Sequence, residues 1–167
     1  LRRTRKNLAK AEPSLAGFSL LLGLRPSDKP SGLSHHNVLF PKDYDQEFED
    51  IFNRKVPVAD PTIYICAPND DAMVKHPGHE AWFVLVNAPR HSESDSESDG
   101  FNWNDKDANH RYAMKIIDAI EARGISVRDR LESLTVRTPA DLEAAVLAPG
   151  GAIYGTSSNG ARAAFMR

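Results

Sequence analysis

The sequence predicts an α+β domain built on a largely antiparallel sheet of about five strands covered by helices. Three observations lead there. Two apolar runs, 61–68 and 80–89, are closed by prolines and joined by a polar turn, as strands are. Segment 17–24 alternates with period two, which is a strand signature. The helical patterns, finally, do not alternate with strands as βαβ repeats would require.

The elements follow in order. Residues 1–13 are basic and helix-permissive, with Arg2, Arg3, Arg5, Lys6 and Lys10, and read as a lead-in helix or linker. The α+β domain is expected over 14–158. In the first strand Phe18, Leu20, Leu22 and Leu24 form a bulky face, while Gly17, Ser19, Leu21 and Gly23 form a small one. The small face leaves room either for a ligand or for a closely packed helix. After the turn 25–32, residues 33–40 return as a strand expected to pair with the first. Asp43 can cap a helix, with Gln46 completing a box and Phe48, Ile51 and Phe52 forming its apolar stripe over one sheet face. The Ser-Asp-Glu run within 91–105 holds almost nothing to bury and reads as a solvated loop. Ala113, Ile116, Ile117 and Ile120 define a helix over 106–123, which Gly124 can close. Residues 134–137 suit a fifth strand. Thr138, Pro139 and Asp141 then supply cap, first-turn proline and third-position acid for a helix ended by Gly150-Gly151. Residues 159–167 start another helix. The chain begins at Leu1 and ends in a helix-like run without a stop signal, so both ends are expected to be cut.

Composition excludes several functions. A net charge of −2 argues against a nucleic-acid binder. Cys66 is the only cysteine, which rules out an intrachain disulfide and makes a reducing, cytoplasmic setting the default. Lying in an apolar strand, Cys66 is expected to be a buried, inert thiol. No apolar run approaches the roughly 20 residues of a membrane span. Segment 155–162 has the glycine spacing of a phosphate loop, but Ala161 replaces its lysine. No G-x-G-x-x-G dinucleotide cradle and no G-x-S-x-G elbow occur. His35 and His36 are adjacent, so in a strand they diverge, and the six histidines show no metal-ligand spacing; no metal is expected. His36 either orients a ligand or bonds a strand neighbour.

A set of anchors runs along the chain: Ser14 through Phe18 and Gly23-Leu24, then Leu33 through Phe40, Asp60 through Pro68, Pro77-Gly78-His79-Glu80, and Val84 through Pro89. The tail adds Thr138 through Leu142 and Gly150 through Gly155. In this order they resemble the substrate-side signature of the bacterial-type carotenoid (phytoene) desaturases, over nearly the whole chain. The resemblance implies an FAD-dependent oxidoreductase of carotenoid biosynthesis that dehydrogenates a long apolar isoprenoid and passes hydride to its flavin. It implies peripheral contact with a membrane and a partner in the protein's own flavin-binding domain, because the Rossmann half is missing here. FAD would be held mainly by parts outside this chain, which alone is expected to be inactive. The acidic serine-rich loop departs from the family pattern. The expected substrate-binding residues are Gly17, Ser19, Leu21, His36, Tyr64, Trp82 and Tyr154, lining an apolar slot between strands and helices; no catalytic residue is assigned. The alternatives are a non-catalytic lipid-binding module and an interaction domain that meets a basic partner through its acidic loop.

Overall fold

A computed structural model describes residues 13–28, 31–68, 70–93 and 100–157. The basic lead-in, the centre of the acidic loop and the terminal helix lie outside the described residues. Five strands, β1 (Ala16–Leu24), β2 (His36–Leu39), β3 (Ile63–Cys66), β4 (Glu80–Ala88) and β5 (Leu131–Arg137), form one antiparallel sheet in the order β2-β3-β4-β1-β5.

Equal length and matched alternation explain the centre of the sheet. β1 and β4 are each nine residues long and pair from Ala16↔Ala88 to Leu24↔Glu80, so that Phe18, Leu20 and Leu22 share a face with Val86, Val84 and Trp82. The expected pairing of the first two strands does not form. β5 occupies the other edge of β1, and β2, cut to four residues, pairs with the equally short β3. β2 starts late because Asn37 turns back on the chain before it. Its Oδ1 accepts from Ser34 N at 2.9 Å and its Nδ2 donates to Ser34 O at 2.7 Å.

Helix α1 (Tyr44–Phe48) is capped by Asp43, whose carboxylate accepts from Asp45 N and Gln46 N. Gln46 does not close the expected box; its Nε2 donates to Asp50 Oδ1 instead. The chain continues as a π-helical turn over Glu49–Arg54 that ends on left-handed Lys55. Of its expected stripe only Ile51 is fully buried, and Phe48 remains exposed.

Helix α2 (Lys106–Glu121), capped by Asp105, covers one face of the sheet. Ala113, Ile116, Ile117 and Ile120 pack with Phe18, Leu20, Leu22, Ile63, Ile65, Trp82 and Val84 in one core. Each large side chain there contributes roughly 1.5–3 kcal/mol by leaving water. Phe18 sits 5.3 Å from Trp103 and 5.0 Å from Tyr112, ring centre to ring centre. The slot expected between strands and helices is therefore filled by side chains. Helix α3 (Pro139–Val146) carries the full capping box between Thr138 and Asp141. It stops at left-handed Leu147, before the two glycines expected to end it, which belong to the following turn, Pro149–Gly151.

Candidate functional site

Because side chains alternate along a strand, the face of the sheet opposite α2 is equally well defined. It carries Val38 on β2, Tyr64 and Cys66 on β3, Phe83 and Leu85 on β4, and Ser19 and Leu21 on β1, placed side by side by the register. Leu21 and Phe83, on the central strands, are 44% and 36% exposed, and Val38 on the edge strand β2 is 48% exposed, a large apolar share for one sheet face. Tyr64 stacks on His36 at 6.0 Å and meets Phe83 edge-on at 6.4 Å, so an aromatic row crosses three strands.

The expected substrate residues divide. Gly17, Ser19, Leu21, His36 and Tyr64 fall on this outer face. Trp82 lies on the other face, 2% exposed, with its Nε1 donating to Glu80 Oε2 and the Arg130 guanidinium 5.8 Å over its ring. Tyr154 stands beyond the strands, 65% exposed, its backbone N donating to Ser14 Oγ. The room left by Gly17 is taken up internally. A Cβ there would lie 2.9 Å from Leu85 Cδ1 and 3.6 Å from Ile153, both of which lean across it. Phe83, which is not among the expected substrate residues, belongs to the row. The available signal was that Trp82 and Phe83 are neighbours and cannot face the same way.

The ends of this face are pinned by polar groups. Glu47 on α1 is completely buried, and its carboxylate accepts from Thr62 N (2.7 Å), Thr62 Oγ1 (2.6 Å) and Asn87 Nδ2 (2.8 Å). It ties α1 to the start of β3 and the end of β4. Asp50, also buried, is held by Gln46 and Arg54. At the opposite end a cleft of about 370 Å³ is bordered by Gly23, Ala81 and Ser133 of the outer face and by His76, His79 and Glu132. His79 and Glu132 approach to 3.5 Å.

His36 Nδ1 lies 2.8 Å from Tyr64 Oη, the strand-neighbour bond that sequence offered as one of two roles. The Tyr64 phenol is held above its ordinary range, first by desolvation and then by the hydrogen bond with Cys66. Cys66 is therefore half-buried on the outer face and not sealed in the core as expected. His35 precedes β2 and escapes the strand's alternation, so its ring lies 4.3 Å from that of His36 and does not diverge from it.

The two longer described helices offer no open N-terminus for the pyrophosphate of a dinucleotide. The first turns of α2 and α3 are already occupied by their own capping side chains, and Asp107 and Asp141 place carboxylates there.

The sheet is thus packed on one side and presents an apolar, aromatic face on the other. No family model matches the chain. Its sequence is 30% identical over 167 residues to a hydroxyneurosporene desaturase of Rubrivivax gelatinosus, covering 99% of this chain and 30% of that protein. It is 33% identical over 160 residues to a 1-hydroxycarotenoid 3,4-desaturase of a Flavobacterium species, covering 95% of this chain and 30% of the relative. A zeta-carotene-forming phytoene desaturase of Myxococcus xanthus is 37% identical over 99 residues, 58% of this chain and 19% of its own length. The chain belongs to the bacterial-type carotenoid desaturase family, and it spans about 30% of the length of the first two of these relatives.

Proposed function

We propose that this chain is the substrate-facing part of an FAD-dependent desaturase that dehydrogenates a long apolar isoprenoid of the carotenoid kind. The observation that carries the reading is the outer sheet face, where Leu21, Val38, Tyr64, Phe83 and Leu85 present contiguous apolar surface in a chain whose relatives are named as carotenoid desaturases. That surface would hold a polyene by burial, at roughly 2.5 kcal/mol for every 100 Å² taken from water. Holding it immobile is the chain's contribution to catalysis, since a fixed C–C bond reacts far faster than a diffusing one.

The flavin would supply the hydride acceptor, bound by a separate domain that closes over the outer face. The protein would take its substrate from a membrane surface by peripheral contact. No described helix is long and apolar enough to cross a membrane. The exposed aromatic ridge Phe40, Tyr44 and Phe48 supports the contact.

Joined to a flavin-binding domain of its family, the chain should restore carotenoid dehydrogenation. Phe83→Asp should lower conversion at least about tenfold, the cost of one buried charge or lost aromatic contact. Glu132→Gln, at the rim, should leave conversion within about twofold by the same comparison. Equal conversion by Phe83→Asp and the unmodified chain would remove the outer face from the mechanism.

A further inference from the structure

We infer that His35, His36 and Cys66 form a binding site for a borderline-soft divalent cation of the zinc class, where β2 meets β3. One ring nitrogen from each histidine and the Cys66 Sγ lie within 4.8 Å of one another, near enough for modest side-chain rotation to close them on one ion. This inference does not depend on the desaturase reading, because its readout is metal binding and not turnover.

The fold assembles the set from three separate causes. The β2–β3 register puts His36 directly opposite Cys66, on the same face. His35 lies just outside β2, where the alternation that would send it to the other face no longer applies, and its ring turns toward His36 at 4.3 Å. Its carbonyl accepts from Ala67 N at 2.8 Å, which locks the two backbones together beside the cysteine. Sequence spacing hid this arrangement because the ligands are thirty residues apart and only the pairing brings them together.

The donor types select the ion. Imidazole and thiolate suit zinc and cobalt, and the set contains no carboxylate to favour magnesium or calcium. Three protein ligands leave a fourth position for water or an exogenous ligand, as in open zinc sites. Tyr64 supplies the outer support that such sites require, its hydroxyl 2.8 Å from His36 Nδ1 and its ring stacked on that imidazole. On binding, the Cys66 thiol gives its proton to solvent and the sulfur lone pair goes to the metal.

The test is a titration of the reduced, metal-free chain with Co²⁺ near neutral pH. One equivalent should produce a sulfur-to-cobalt charge-transfer band, with ligand-field bands of four-coordinate intensity that Zn²⁺ abolishes by displacement. Cys66→Ser should remove the charge-transfer band. His35→Ala and His36→Ala should each weaken Co²⁺ binding by about tenfold or more, and Tyr64→Phe by about tenfold through loss of the outer contact. All four positions are exposed or half-buried, so far-ultraviolet circular dichroism should be unchanged in these variants. Absence of the band at one equivalent would overturn the site. So would a band that survives both histidine substitutions, or saturation at one cobalt per two chains, either of which would mean a surface thiol acting alone.

Discussion

At the scale of single residues, the buried carboxylate of Glu47 shows how this sheet is anchored. Three donors from Thr62 and Asn87 replace its water, and removing the carboxylate strands those donors in a buried place. Glu47→Ala should therefore destabilise the fold by on the order of 3 kcal/mol, read from urea denaturation at neutral pH. Tyr112 makes the complementary case. Burial pushes its phenol well above the ordinary 10.0, with Glu47 and Asp50 adding to the shift. The folded state thus keeps a proton that the unfolded chain loses. Below pH 10 the group contributes no pH dependence; above it, stability falls by about 1.4 kcal/mol per pH unit. Tyr112→Phe should remove that alkaline slope and leave neutral stability within about 1 kcal/mol. An identical slope in the two proteins would place the titration elsewhere.

At the scale of elements, legibility followed the range of the forces. The strands 61–68 and 80–89, the helix over 106–123 and the cap at Thr138 were all readable, because each is set by neighbours within a few positions. Strand pairing was not readable. The expected partner of β1 was β2, yet β4 and β5 outcompete it by length and by a matching buried face. The same limit applied to the site. Gly17, Ser19 and Leu21 share a face as alternation implied, and His36 and Tyr64 join it only through strand pairing, whereas Trp82, expected to meet a ligand, lies in the core and its neighbour Phe83 faces outward. The convergence of His35, His36 and Cys66 came from strand pairing and from the place of His35 just outside β2. Two substitutions probe the junction after β5. Thr138→Ala should cost about 1 kcal/mol by opening the capping box. Gly151→Ala should cost more, since φ is 70° and a Cβ would stand 2.3 Å from the Pro139 carbonyl oxygen; thermal unfolding of the two variants orders them.

At the scale of the whole molecule, the sheet separates two tasks. Its inner face, packed by α2, supplies the stability, and its outer face is left apolar and partly uncovered. A free-standing domain of this size rarely leaves the centre of a sheet so exposed, so the outer face is where a ligand and a second domain would meet. On the proposed reading a flavin would be bound by a domain other than this one, and the purified chain should show no flavin absorbance after expression in a flavin-replete host. The most direct test is polyene binding to the chain itself in detergent, followed by quenching of the emission of Trp82 and Trp103, both buried in the core behind the row. The account predicts saturable quenching that Leu21→Asp and Phe83→Asp each weaken by about tenfold or more, with the far-ultraviolet spectrum unchanged. Quenching of equal strength in those variants, or none in the unmodified chain, would contradict it.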